Sequence, residues 1–149
     1  HLIGHLQTNK VKKAIQLFEV IHSVDSLRLA QEISKQAVRL ERQIEILLEV
    51  NIAGENSKYG CPPEQLSVLL EQVLPLPGLI VKGLMCMAPL VDEPEQTRVF
   101  FTEMKKMQLS LQDRFFIQLP WLSMGMSQDY EVAIEEGATH VRVGSALFV

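Results

Sequence analysis

The sequence predicts an α/β fold, an incomplete (β/α) barrel of the TIM type with about six of the eight parallel strands that closure requires. Three observations predict it. Short apolar runs, several of them β-branched, alternate with longer segments of helical period. No two-residue hairpin turn joins one run to the next, which points to parallel strands linked by helical crossovers. Several runs also carry polar groups on one face only: Glu49 and Asn51 share a face of the run 47–52, and Arg142 stands between Val141 and Val143. A doubly wound sheet, covered by helices on both sides, would keep its central strands almost wholly apolar. A barrel interior that leads to a site accommodates such groups.

The six predicted strands are 2–4, 19–24, 45–52, 79–87, 118–124 and 140–148. Between the second and third, Asp25 and Ser26 can cap a helix whose apolar stripe is Leu27, Ala30, Ile33, Ala37 and Leu40, with Arg28, Glu32, Lys35 and Arg39 on the opposite face. Pro62 and Pro63 suit a helix start, followed by the stripe Leu66, Leu69, Leu70 and Val73 before Pro75. Asp92 and Glu95 have the spacing of a capping box ahead of Phe100, Met104, Met107 and Leu111. Ser127 is expected to open a last short helix that Gly137 closes.

Composition narrows the function classes. With 149 residues, 47% of them hydrophobic, the chain is large enough for one domain spanning 1–149 and unlike a disordered segment. A net charge of −4 and 6% aromatic content provide neither a basic stripe nor a stacking platform for nucleic acid. Charges such as Glu49 and Lys82 interrupt every apolar run well short of a membrane span. Cys61 and Cys86 form no metal or redox spacing, which fits a reducing, cytoplasmic setting. His1 opens directly into an apolar stretch, and we expect two further barrel strands to lie upstream of it.

Two segments carry the chemistry. Residues 123–127 and 142–145 lie at the C-terminal ends of the last two predicted strands, where barrels of this type often hold a phosphate on exposed backbone N–H groups. Gly125 and Gly144 permit close approach of backbone, and Ser127 and Ser145 add hydroxyl donors. Arg142, always charged, would point into the barrel and needs a partner there. That partner is either a carboxylate such as Glu49 or an acceptor atom of a ligand. His22 and His140 read as satisfying local hydrogen bonds at strand ends, Lys10, Lys12 and Lys13 as a solvated helix face, and Cys86 as buried filler.

The segments 2–10, 22–26 (His-Ser-Val-Asp-Ser), 50–52 with 58–60 (Lys-Tyr-Gly), 83–85, 123–127 (Ser-Met-Gly-Met-Ser) and 141–145 (Val-Arg-Val-Gly-Ser) together resemble the pyridoxal phosphate homeostasis protein family. The resemblance runs in order from the first residue to the last. It implies a single-domain barrel like the N-terminal domain of alanine racemase, holding pyridoxal 5′-phosphate. By motif, Ser127, Gly144 and Ser145 would hold the phosphate and Arg142 would face the pyridine nitrogen. Asn9, near the barrel mouth, and Met124, against the ring, complete the implied set. The resemblance further implies a cytoplasmic, monomeric protein that stores the cofactor and delivers it to apo enzymes, without an established reaction.

An arginine only donates, so a ring nitrogen facing Arg142 would accept a hydrogen bond and stay unprotonated, a poor electron sink. Storage suits such a site better than carbanion chemistry. The alternatives are an alanine-racemase-like enzyme using the same cofactor and a barrel lyase acting on a phosphorylated substrate. The family's Schiff-base lysine belongs to the first barrel strand, upstream of the residues matched here. None of Lys10, Lys12, Lys13, Lys35, Lys58, Lys82, Lys105 and Lys106 matches it.

Overall fold

A computed structural model describes residues 1–55 and 58–148. Five parallel strands form one sheet in sequential order: β1 (Val20–Val24), β2 (Ile44–Val50), β3 (Leu79–Cys86), β4 (Trp121–Met126) and β5 (His140–Arg142). Strictly sequential order is that of a barrel wall, in which each crossover moves one strand along. The sheet is thus part of an α/β barrel. The expected sixth strand, 2–4, is a single parallel bridge between Leu2 and Ile21, because Gly4 ends the extended pairing as soon as it begins. The last strand is also shorter than the expected 140–148. It stops at Arg142, and Ser145–Leu147 turn into a 3-10 helix.

The crossovers are α1 (Val11–Leu17), α2 (Leu27–Arg39), α3 (Leu66–Val73), α4 (Arg98–Phe115) and α5 (Tyr130–Glu135). Ser26 caps α2 as its sequence suggests, its Oγ accepting from the Leu29 amide at 3.4 Å. Pro63–Gln65 form a 3-10 lead-in to α3. The capping box at Asp92 and Glu95 does not form. Pro94–Thr97 make a 3-10 turn, and the Glu95 carboxylate pairs with Arg98, which also reaches Glu135 and Glu136 at 2.5 and 2.7 Å and ties α4 to α5.

Strand alternation sorts the core into two faces. Ile21, Ile46, Leu48, Leu84, Leu122 and Met124 pack outward beneath helix residues such as Ile33, Leu70, Phe101 and Met104. Each such buried side chain contributes about 1.5–3 kcal/mol. On the inner face Val20, Leu47 and Met85 form a second, smaller cluster with Met87 and Trp121. Gly83 makes the β3–β4 contact possible, since a Cβ there would lie 1.8 Å from the Trp121 carbonyl oxygen.

Candidate functional site at the strand ends

Register builds the site. Glu49 pairs with Met85, Met85 with Ser123, and Ser123 with His140, so one inward-facing row crosses β2 to β5. Just beyond it a cleft of about 840 Å³ opens at the C-terminal ends of the strands, within the usual range for small-molecule sites. His22, Glu49 and Arg142 line its floor, and Ser127, Gly144 and Ser145 its rim.

The floor is a hydrogen-bonded relay. Arg142 donates from Nη1 to Ser123 Oγ at 2.7 Å and from Nη2 to the Cys86 carbonyl at 2.8 Å. Ser123 Oγ lies 2.9 Å from His22 Nδ1, and His22 Nε2 lies 3.0 Å from His1 Nδ1. Burial, with Arg142 nearby, pushes the His22 imidazole down to about 4, and His22 is neutral at physiological pH. His22 therefore does more than satisfy a local strand-end bond: its partner Ser123 is three strands and a long stretch of chain away. Arg142 has no carboxylate within salt-bridge distance among the described residues, which leaves Glu49 unpaired with it. Glu49 is buried, and its Oε2 has no hydrogen-bond partner among the described residues. Burial and the charge of Asp25 push this carboxyl up to about 7 against the opposing pull of Arg142.

At the rim, Ser127 Oγ accepts from the amides of Gly144 at 3.0 Å and Ala146 at 3.3 Å, clasping the ends of β4 and β5 together. Ser127 does not open the last helix. That helix begins at Tyr130 after Asp129, whose carboxylate instead holds the Met126 amide at 2.6 Å. Gly125, at φ +91°, makes the turn, and its missing Cβ would sit 2.5 Å from that of Ala133. A Cβ on Gly144 meets nothing within 4 Å, because the residue borders the open cleft.

Four of the six residues singled out in the sequence therefore come together: Ser127, Arg142, Gly144 and Ser145. The other two do not. Met124 shares strand parity with Leu122 and is buried in the outer core, facing away from the cleft. Asn9 is exposed in the 3-10 turn Thr8–Lys10 and does not line the cleft. Sequence reasoning did not single out Ser123 or give His22 its place in the relay. The signal was present, since His22, Glu49, Ser123 and Arg142 are the polar interior positions of four different strands. At the mouth, Tyr59 stacks on His5 with ring centroids 3.7 Å apart, and Lys58 donates to the Ala88 carbonyl at 3.1 Å and pairs with Glu55 at 3.1 Å.

A sheet of this order with its polar cluster at the carboxyl ends defines a class. The chain belongs to the alanine racemase N-terminal domain family, whose sequence model matches residues 1–149. It stands with the pyridoxal phosphate homeostasis proteins of that family. It is 47% identical over 148 residues to the one from Aquifex aeolicus, covering 99% of this chain and 65% of the relative. To the one from Synechocystis it is 37% identical, covering 99% and 68%. The chain thus spans about two thirds of the length of these curated relatives. Among solved structures, PipY of Synechococcus elongatus with PLP bound superposes with a TM-score of 0.91 at 38% identity, over 100% of this chain and 69% of that one. A Clostridium difficile alanine racemase shares the fold, with a TM-score of 0.78 at 17% identity over 97% of this chain and 40% of that one. No helix among the described residues is long and apolar enough to cross a membrane.

Proposed function

We propose that the cleft binds pyridoxal 5′-phosphate and that the protein serves intracellular cofactor homeostasis, storing the cofactor and delivering it to apo enzymes rather than catalysing a reaction of its own. The observation that carries this reading is the Arg142 guanidinium, turned into the cleft and held, among the described residues, by a hydroxyl and a carbonyl with no paired carboxylate. An uncompensated cation in such a place favours an occupant that brings acceptors and negative charge. The relatives' names and the PLP-bound PipY structure supply the class of that occupant.

The residues present fit the group. Ser127 Oγ already accepts twice, so its own hydrogen is free to donate to a phosphate. Ser145 adds a second hydroxyl, and the absent Gly144 side chain leaves the space between them open. Arg142, donating only, would hold an unprotonated ring nitrogen. When bound, the cofactor supplies a polarised ring and a carbonyl carbon open to amines. An unprotonated ring withdraws electrons weakly, which suits retention and release over carbanion formation.

Calorimetric titration of the protein with pyridoxine 5′-phosphate and with pyridoxine tests the reading, because neither ligand can bond covalently to a lysine. The phosphorylated ligand is expected to bind at least about tenfold more tightly, the yield of one good charge-assisted hydrogen bond. Equal binding, or none, removes the phosphate site.

A further inference from the structure

Glu49 is a polar side chain of the cleft floor that the relay leaves out. It is 2% exposed, and its buried Oε2 has no hydrogen-bond partner among the described residues. An unsatisfied buried carboxyl oxygen is costly and calls for an explanation. Neither available basic neighbour supplies one. Arg142 gives two of its five N–H groups to Ser123 and Cys86 and forms no ion pair with Glu49, and Lys58 pairs with Glu55 at the mouth.

The ligand's own inventory identifies the missing partner, resting on the reading above. The phosphate goes to the rim, and the ring nitrogen to Arg142. The carbonyl of a pyridoxal-type ring only accepts and its methyl group does neither, which leaves the ring hydroxyl as the group that can pair with a carboxyl in both its ionised and its protonated form. We propose that Glu49 is a specificity-determining residue that recognises the hydroxyl on the ligand's pyridine ring.

The pairing balances in either form. An ionised Glu49 accepts the hydroxyl's hydrogen, and a protonated Glu49 donates the same hydrogen to the phenolate oxygen. Either way the two oxygens hold one proton between them. The groups around Glu49 keep both forms within reach: neutral His22 from β1, Asp25 just past that strand, the Cys61 thiol beyond β2, and Arg142 from β5. Asp25 and burial push the carboxyl up and Arg142 draws it down, leaving it at about 7.

The test compares pyridoxine 5′-phosphate with its 3-O-methyl ether, titrated calorimetrically into wild type, Glu49→Leu and Glu49→Gln. Glu49→Leu is expected to weaken the hydroxylic ligand about tenfold or more and the ether less than about twofold. In Glu49→Gln, the pH midpoint of the bound ring's ultraviolet absorbance, which reports hydroxyl ionisation, is expected to shift from its wild-type position. Thermal melts check that both variants fold, which removal of an unpartnered carboxyl favours. Equal loss of both ligands, or no loss together with an unmoved midpoint, overturns the assignment while leaving the phosphate site standing. If the wild type binds neither ligand, the binding reading falls and this assignment with it.

Discussion

Arg142 Nη1 and Ser123 Oγ lie 2.7 Å apart across the β4–β5 pair, and the direction of that bond orders the relay behind it. A guanidinium has no acceptor, so Ser123 takes the bond on a lone pair and keeps its hydrogen for His22 Nδ1 at 2.9 Å. His22 then carries its proton on Nε2, directed at His1 Nδ1 3.0 Å away. One buried hydroxyl thus fixes the guanidinium and the histidine tautomer together.

Replacing Ser123 by Ala is expected to destabilise the fold by about 1–3 kcal/mol, because it leaves buried groups on Arg142 and His22 short of a partner. Urea unfolding checks it. Ser123→Thr, which keeps the hydroxyl, should recover part of the loss, whereas loss of packing alone would show no such recovery.

His22 and Glu49 impose opposite pH slopes on stability. His22 falls from 6.5 unfolded to about 4 folded, so the unfolded chain binds the extra proton and stability rises with pH between those values, by at most about 3 kcal/mol. Glu49 rises from 4.5 unfolded to about 7 folded, so the folded chain binds the extra proton and stability falls with pH over that window by a similar amount. The wild type should show a muted dependence near pH 5–6. Glu49→Gln should expose a rise with pH, and His22→Asn a fall. Parallel profiles for the three proteins in chemical denaturation would contradict the assignment.

At the rim, Ser127→Ala removes the acceptor shared by Gly144 and Ala146, and Gly144→Val places a side chain where nothing stands within 4 Å. The valine variant is expected to keep its melting temperature and still lose affinity for pyridoxine 5′-phosphate about tenfold or more, with unphosphorylated pyridoxine little affected. Equal effects on both ligands would place the phosphate elsewhere.

Gly83→Ala is expected to be the most damaging small change in the sheet. Its Cβ would fall 1.8 Å from the Trp121 carbonyl oxygen, so β4 must move or unpair, at a cost of several kcal/mol. A melting temperature near wild type would show that the strands separate at little cost.

Strand parity made much of this site legible in advance. The inward turn of Arg142 follows from its place between Val141 and Val143, and Gly144 and Ser145 follow it past the strand end to the rim. The same rule, extended by register, groups His22, Glu49 and Ser123, but register is a long-range property that no local window contains. Met124 shows the cost of reading a motif without parity: its neighbour Ser123 faces the site, so Met124 faces the helices. The error at Ser127 has a different origin. A serine ahead of a helix resembles a cap, yet its hydroxyl serves a loop 17 residues away, while Asp129 takes the place next to the helix. The apolar pattern carries the expected final strand on to residue 148, six residues past Arg142, whereas the backbone turns at Gly144.

Burial holds both native thiols, Cys61 and Cys86, up to about 12, which renders them unreactive while the chain is folded. Maleimide chemistry at neutral pH therefore has no background to overcome. A single cysteine placed at Leu90, which is 84% exposed on the cleft wall, would carry a fluorophore to the mouth and report occupancy in real time. Labelling of the unsubstituted protein would then serve as a direct gauge of unfolding.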